Sequence, residues 1–169
     1  MLVHRDVAWR AMTGYDLRAV EAIAAEVHPG LFEAPEVLAE RHRLYRNGCY
    51  LLEIGEKPAG YLLSHPWRFG ALPALNSLLS AIPADANTYY LHDLALLPVA
   101  RRVGAASRIV EALIKHATAR RLPTMSLVAV NGSAGFWERH GFVVTDKPGL
   151  EAKLLSYDRA ARFMVKPLV

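Results

Sequence analysis

The sequence TYYLHDLALLPVARRVGAASRIVEALIKHATARR, residues 88–121, decides the fold because three consecutive structural signals lie within it. Residues 88–97 are rich in β-branched, aromatic and aliphatic side chains, and Pro98 ends this predicted strand. After Gly104 the apolar residues recur at the i, i+3, i+4 spacing of one buried helix face, at Ala106, Ile109, Val110, Leu113, Ile114 and Ala117. Pro123 stops this helix. The stretch therefore predicts a strand, a tight turn and a long amphipathic helix.

The turn between strand and helix is basic and contains one glycine; its residues are Arg101, Arg102, Val103, Gly104, Ala105, Ala106 and Ser107. The first N–H groups of a helix have no partner within it, and Gly104 has no side chain to keep a ligand from its backbone. Free amides, a positive helix end and two guanidinium groups together indicate a site for a diphosphate. The same residues are also consistent with an alternative, in which the turn binds no anion and is only a helix start with its arginines exposed to solvent.

Composition and charge limit the class of protein. A chain of 169 residues with 53% hydrophobic and 21% charged residues is predicted to form one globular domain, residues 1–169. The net charge of +4 is spread along the chain without a basic run, so nucleic-acid binding is not indicated. A negatively charged cofactor is compatible with this charge.

The cysteine content and the N-terminus indicate the compartment. Cys49 is the only cysteine, so no internal disulfide can form and a reducing compartment fits. We expect Cys49 to be a small buried hydrophobe at a strand start rather than a catalytic thiol. His4, Arg5 and Asp6 lie where a signal peptide would be apolar, and no apolar run approaches about 18 residues. The sequence therefore predicts a cytoplasmic protein without a membrane partner.

Upstream of residue 66 the pattern predicts a strand, two helices and a β-hairpin. Thr13 and Asp16 form a capping-box pattern at the start of the first helix, and Pro35 lies near the start of the second. The predicted elements are a strand at 2–9, a helix ending before His28, a helix ending at Asn47, and hairpin strands at 49–54 and 59–64.

Downstream of residue 123 the pattern predicts further sheet and one short helix. Residues 124–130 are almost continuously apolar, as in a strand covered on both faces. The other predicted elements are a helix at 134–140 ending at Gly141, a strand at 142–145 and a last strand at 162–165 beside it. The complete order, β-α-α-β-β-β-α-β-α-β-β, predicts an α/β fold in which a mixed sheet carries helices on both faces.

Two motifs resemble those of the GNAT superfamily of N-acetyltransferases. The turn after Pro98 matches R-x-x-G-x-A and resembles the [QR]-x-x-G-x-[GA] signature of that family. Residues 130–142, VNGSAGFWERHGF, resemble its N-x-x-A-x-x-[FL]-Y-E-[KR]-x-G-F segment with one residue fewer between Asn131 and the aromatic pair. The resemblance covers residues 88–145. Over the first 66 residues only the order of elements agrees, and the insert and the tail carry no resemblance. It implies a mostly antiparallel, twisted central sheet and an acetyl-CoA-dependent transferase without a metal.

The resemblance also implies how acetyl-CoA binds. In this family the central strand splays from the following strand, and the pantetheine arm enters the gap and pairs with the backbone of the central strand. The turn holds the pyrophosphate, and the asparagine bonds the arm. The implied cofactor-binding residues are Leu94, Ala95, Leu96, Arg101, Arg102, Val103, Gly104, Ala105, Ala106, Ser107, Asn131, Phe136 and Trp137.

The HDLAL run contains the candidate base. It resembles the H-x-H-A-L-A-V strand of arylalkylamine N-acetyltransferases, in which histidines accept protons, and His92 corresponds to the second histidine. An imidazole titrates near neutral pH and suits proton transfer from an ammonium. Strand alternation predicts His92, Leu94 and Leu96 on one face and Asp93 on the other. Asp93 is the second catalytic candidate; each residue also has a structural alternative, as a hydrogen-bonding group within the sheet.

The sequence leaves open which group protonates the leaving thiolate. Trp137 occupies the position of the family's usual tyrosine acid, and an indole N–H does not release its proton near neutral pH. Tyr157 or Tyr90 is the candidate substitute. Water is a further alternative, because a thiol with a pKa near ~8.5 is a tolerable leaving group.

Residues 65–87 form a long connection punctuated by Pro66, Pro73 and Pro83. Residues 72–82 are predicted to form a short helix in it. We expect this insert to line the pocket for the acyl acceptor; the alternative is a hydrophobic flap on the sheet edge.

The sequence favours an N-acetyltransferase that transfers the acetyl group to a primary amine of a small molecule by direct attack in a ternary complex. A non-catalytic acyl-CoA-binding module and a protein or peptide N-acetyltransferase are the alternatives, and homodimer formation is left open.

Overall fold

A computed structural model describes residues 6–169, which are arranged around a seven-stranded sheet. The strands are β1 (Val7–Ala11), β2 (Cys49–Ile54), β3 (Lys57–Trp67), β4 (Thr88–Leu96), β5 (Thr124–Ala129), β6 (Val143–Val144) and β7 (Arg162–Pro167). The helices are α1 (Leu17–Val27), α2 (Pro35–Leu44), α3 (Ala105–Ala119), α4 (Ala134–Glu138) and α5 (Glu151–Tyr157). The strand order is β1-β2-β3-β4-β5-β7-β6, and among these described strands only the β4–β5 pairing is parallel. The prediction of a mixed, mostly antiparallel sheet is confirmed.

Helices cover both faces of the sheet, as the sequence predicts. The apolar face of α3 packs on one side, where Val110 and Leu113 join Leu91 and Leu127 in the largest hydrophobic cluster. Helices α1 and α2 cover the opposite side of β2, β3 and β4. Cys49 is fully buried at the start of β2, and burial raises the pKa of its thiol to about 12. Such a thiol is a packing residue, as expected.

The central strands β4 and β5 part from each other halfway along. Their parallel pairing ends at Leu91 and Leu127, while β4 continues to pair with β3 as far as Leu96. At the closed end, Thr88 Oγ1 lies 2.9 Å from Ser126 Oγ and holds the two strands together. The backbone of β4 beyond Leu91 therefore borders an opening in the sheet, which is the gap that the family resemblance implies.

A β-bulge in β4 corrects one prediction about side-chain direction. Leu63 pairs with Asp93 and the next residue of β3, Ser64, pairs with Leu91, so His92 is the extra residue. A bulge shifts the alternation of side chains by one position. Both His92 and Asp93 consequently contact residues on the α1–α2 side of the sheet. The prediction that Asp93 points away from the face of His92 was wrong, and so was the prediction that His92 shares its face with Leu94, which packs on the α3 side.

The insert does not contain the predicted helix at residues 72–82. Asn76 and Ser80 have positive φ angles of 56° and 71°, which interrupt a right-handed helix. The N–H groups of Leu79 and Ser80 instead donate to the carboxylate of Glu40 on α2, at 2.6 and 3.1 Å. A side chain from a distant helix thus replaces the local hydrogen bonds that a helix would need.

Other boundaries differ by a few residues. The first strand is β1, and residues 2–5 of the predicted strand lie outside the described residues. Strand β3 extends to Trp67 and the second helix ends at Leu44. Helix α5 was not predicted, while the last strand lies beside β6 as expected. Within residues 6–169, no helix is both long and apolar enough to cross a membrane.

Candidate active site

The turn after β4 presents backbone N–H groups at the start of α3. Gly104 has a φ of +77°, which places it in the left-handed region that favours glycine. The first helical bond runs from the N–H of Arg108 to the carbonyl of Gly104 (3.1 Å), so the N–H groups of residues 105–107 have no acceptor within the helix. The indole Nε1 of Trp9 donates to the carbonyl of Ala105 (2.8 Å) and fixes the helix start against β1.

Positive charge surrounds these amides. Arg101, Arg102 and Val103 are exposed, and Arg101 Nε donates to the carbonyl of Leu96 at 3.2 Å. Ser107 Oγ lies 3.0 Å from Nε2 of His140, which joins the first turn of α3 to the segment after α4. Open amides, a helix N-terminus and guanidinium groups fit a diphosphate.

Two histidine–carboxylate pairs line a cavity on the α1–α2 side of the opening between β4 and β5. His92 Nε2 lies 2.6 Å from Oε1 of Glu33, which comes from the loop between α1 and α2. His28 Nε2, at the end of α1, lies 2.8 Å from Oδ1 of Asp93. The bulge in β4 makes this arrangement because it directs two consecutive residues to the same side.

The second pair belongs to a longer hydrogen-bonded chain. The Tyr61 hydroxyl donates to Oδ2 of Asp93, and the Asn131 side-chain amide lies 2.9 Å from Nδ1 of His28. Asn131, which follows β5, has a φ of 55°, and its own N–H donates to Oδ2 of Asp158 at 3.1 Å. This series of hydrogen bonds therefore runs from β3, through β4 and the end of α1, to the end of β5.

The pairing determines the charge of these groups. Burial alone would raise the pKa of Asp93, but the hydrogen bond and charge of His28 outweigh it and lower this pKa. Burial likewise opposes ionisation of Glu33, whose pKa is nevertheless lowered by the charge and hydrogen bond of His92. Burial, followed by the charge of Asp93, raises the pKa of Tyr61 well above its ordinary value. Both carboxylates are thus ionised and Tyr61 is neutral near neutral pH.

Tyr157, the sequence candidate for the acid, reaches the same cavity from α5. Its hydroxyl donates to the carbonyl of Pro73 in the insert, and it also has a hydrogen bond with Tyr90. Burial raises the pKa of Tyr157 to about 12. Its phenol is therefore neutral, and its proton is directed toward the insert.

A buried cation lies behind the cavity wall. Arg41 on α2 is 1% exposed, and its Nη1 lies 3.1 Å from Oε1 of Glu40. Burial lowers the pKa of Arg41, and the charge of Glu33 acts in the opposite direction. The neighbouring His65 is fully buried, and burial lowers its pKa to about 3. His65 is therefore neutral, and Arg41 supplies the positive charge next to Glu33.

The structure brings some predicted residues together and separates others. Residues 94–96 border the opening of the sheet, Asn131 lies at its mouth and the turn follows it. Trp137 is 7% exposed and packs against Phe136 and Phe142 in the cluster under α3. It does not line the cavity that contains His92.

Sequence reasoning missed His28, Glu33 and Tyr61. His28 was used only as a helix-end signal before Pro29, and Tyr61 only as a strand residue. Glu33 lies in a loop without a motif. Their partners are 65, 59 and 32 positions away along the chain, so no local spacing signals the contacts.

Comparison with known proteins identifies the family. Residues 16–142 match the model of the acetyltransferase (GNAT) family, which is well over half of the chain. The chain therefore belongs to the GNAT family and is an acyltransferase. None of the curated proteins compared with it matches this sequence.

Solved structures share the fold at low sequence identity. The GNAT-like decarboxylase GphF, in complex with isobutyryl-CoA, is 18% identical with a TM-score of 0.80, over 96% of this chain and 100% of that one. The Escherichia coli ribosomal-protein-S18-alanine N-acetyltransferase is 18% identical with a TM-score of 0.67, over 96% and 94%. N-acetylglutamate synthase from Neisseria gonorrhoeae, complexed with coenzyme A and N-acetyl-glutamate, is 17% identical with a TM-score of 0.69, over 97% of this chain and 35% of that one.

Proposed function

We propose that this protein is an N-acetyltransferase that transfers the acetyl group of acetyl-CoA to a primary amine of a small molecule by direct attack in a ternary complex. One observation carries the proposal. The His92–Glu33 pair faces the cavity where β4 and β5 part, and the open amides of the turn follow the same strand. This arrangement supports a proton acceptor at one end of the opening and an anion site at the other.

The residues that border the opening fit coenzyme A. The amides of residues 102–107, with Arg101 and Arg102, suit the pyrophosphate. The backbone of residues 94–96 has a partner on β3 but none on β5, so an extended pantetheine arm can add to it as a strand does. Asn131 is placed to hydrogen-bond this arm, and Phe136 and Trp137 support the wall on the α3 side. Bound acetyl-CoA supplies the activated acyl group.

Each residue of the cavity has a separate role in the proposed reaction. His92 accepts a proton from the substrate ammonium, and the ionised Glu33 stabilises the imidazolium that results. A backbone N–H in residues 94–96 polarises the thioester carbonyl. Asp93 fixes the orientation of His28, and Tyr157 closes the cavity as a neutral phenol. The carboxylates of Glu33 and Asp93 favour an acceptor that arrives as a cation.

The insert supports a small acceptor. Leu75 lines the cavity, and Pro73 receives the hydrogen bond of Tyr157. The insert is itself fixed to α2 through Glu40. It therefore covers part of the cavity, which leaves less room for a folded protein substrate than an open groove would.

The experiment is a release assay for free thiol with acetyl-CoA, a panel of small primary amines, and peptides with free N-termini. We expect release that depends on a small amine. Faster turnover of a peptide would favour the alternative of a protein or peptide N-acetyltransferase. Tight binding of acetyl-CoA without release of thiol for any acceptor would favour the non-catalytic module. The presence of Trp137 at the position of the usual tyrosine acid supports that alternative. A parallel series with longer acyl-CoA esters defines the acyl group.

Replacement of Gly104 by alanine tests the anion site. Its added Cβ would meet only Nη1 of Arg108, at 3.9 Å, so the fold has space for it. The methyl group would, however, keep a diphosphate from the backbone amides, and we expect the dissociation constant for coenzyme A to rise about tenfold, or ~1.4 kcal/mol. Calorimetry at modest ionic strength measures this change.

The matched control is Gly149→Ala. Gly149 also has a positive φ, +91°, with no atom within 4 Å of an added Cβ, and it lies before α5. Both variants carry the same backbone strain of about 1 kcal/mol. Equal affinity of the two variants for coenzyme A would contradict the assignment of the turn.

A further inference from the structure

Both ring nitrogens of His28 have partners on different elements. Nε2 faces Asp93 on β4, and Nδ1 faces the side-chain amide of Asn131 at the end of β5. In the neutral ring, Nε2–H donates to Asp93 and Nδ1 accepts from the Asn131 amide N–H. In the imidazolium both nitrogens donate, and the amide fits equally well after rotation that presents its oxygen. The site therefore accommodates both protonation states of His28 without moving the ring.

We propose that His28 is the general acid of the acyl transfer: when Asn131 turns to the bound cofactor, His28 Nδ1 is released and donates the proton that the leaving sulfur takes up. This inference rests on the function proposed above and adds to it the residue that replaces the missing tyrosine acid. Nothing in the sequence motifs assigns a role to His28.

Position favours His28 over the other donors. Trp137 lies in the cluster under α3 and outside this cavity, and the proton of Tyr157 is held by the carbonyl of Pro73. His28 instead contacts Asn131, the residue at the mouth of the opening in the sheet. It is therefore hydrogen-bonded to the residue that is proposed to contact the cofactor arm.

The charges around His28 favour its protonated form. Asp93 faces it from β4 and Glu33 from the loop before α2, while the neutral Tyr61 on β3 donates to Asp93. On the β5 side, Asp158 accepts the N–H of Asn131. His28 also lies at the C-terminus of α1, where the helix dipole favours a cation. Burial lowers the pKa of His28, but the hydrogen bond and charge of Asp93 outweigh burial and raise it.

The two histidines account for every proton that is transferred in the reaction. One proton leaves the substrate ammonium before the amine attacks, and a second leaves the nitrogen after the nitrogen–carbon bond forms, as the carbon–sulfur bond breaks. His92 takes the first, and the second also leaves by way of His92 and solvent. His28 gives one proton to the sulfur and recovers one from those released. One proton therefore goes to the solvent for each acyl group transferred.

The kinetic test is His28→Gln, with His116→Gln as control. His116 lies on α3 and contacts Tyr45, outside the cavity. Glutamine can keep a hydrogen bond to Asp93 but cannot carry a proton. We expect kcat to fall about tenfold or more for His28→Gln, with KM for acetyl-CoA within about twofold, and the loss of activity of the wild type at high pH to disappear. The control should retain both the rate and the pH profile.

A second readout does not depend on turnover. ¹⁵N NMR of labelled histidine reports the pKa of each ring and the protonation of each nitrogen. For the protein alone we expect a raised pKa for His28 that falls in Asp93→Asn. On addition of coenzyme A the Nδ1 resonance of His28 should shift, and in Asn131→Ala it should already have the shifted value without ligand.

The outcomes separate this inference from the proposed function. If the wild type transfers no acyl group, the proposed function fails. If the wild type is active and His28→Gln retains its rate and pH profile, only the role of His28 is wrong. If kcat falls but the Nδ1 resonance does not respond to coenzyme A, then His28 is a structural residue and the proposal is also overturned.

Discussion

Replacing His92 with alanine is expected to lower kcat for acyl transfer by ~100-fold or more, while affinity for coenzyme A stays within about twofold. General-base catalysis contributes roughly 10²- to 10⁴-fold. His92 is the imidazole paired with Glu33 in the cavity, at 2.6 Å, and the turn that would hold the cofactor is formed by other residues. Steady-state kinetics, with calorimetric titration of coenzyme A, measure both quantities.

A second substitution at the same pair controls for lost packing. Glu33→Gln keeps the size of the side chain and can still hydrogen-bond to His92, but it removes the negative charge that stabilises the imidazolium. We expect a smaller fall in kcat, about tenfold. Full activity of His92→Ala with wild-type affinity would remove His92 from the mechanism.

The largest expected effect on stability comes from Glu40→Ala. The carboxylate of Glu40 accepts the N–H groups of Leu79 and Ser80 and pairs with the buried guanidinium of Arg41. Its removal leaves a buried charge without its carboxylate, which costs roughly 3–5 kcal/mol of the free energy of unfolding. Urea denaturation measures this loss, and the accompanying fall in Tm is about 2–4 °C for each kcal/mol.

Two further variants make this prediction specific. Glu36→Ala changes an exposed carboxylate in the first turn of the same helix and should alter stability by no more than about 0.5 kcal/mol. In Glu40→Ala/Arg41→Met the unpaired charge is also removed, so this double variant should be more stable than Glu40→Ala alone. A loss below ~1 kcal/mol for Glu40→Ala would show that the pair does not fix the insert.

The anchor of the insert connects stability to the site. Glu40 holds residues 79 and 80, and the same insert places Pro73 against Tyr157 and Leu75 in the cavity wall. Loss of Glu40 is therefore expected to weaken acceptor binding as well as folding. The effect on coenzyme A should be smaller, because the turn after β4 is fixed by Trp9 and Arg101 rather than by the insert.

Local sequence patterns were sufficient to predict the unit of β4, turn and α3, the family motifs and the mixed sheet. These features follow from local periodicity: strand residues alternate or run apolar, and the helix face repeats at i, i+3 and i+4 within one segment. The prediction of the turn rested on two local features, a glycine at position 104 before the helix and arginines beside it. Short-range spacing was sufficient for each of these predictions.

The construction of the cavity, in contrast, depends on contacts between distant parts of the chain. The bulge at His92 reversed the predicted direction of Asp93, and it depends on how β3 pairs with β4. The carboxylate of Glu40 accepts hydrogen bonds from two N–H groups of the insert, where the predicted helix does not form. The pairs His28–Asp93 and His92–Glu33 join residues 65 and 59 positions apart. Such contacts form only when the sheet and α1 pack together, because no local backbone preference encodes them.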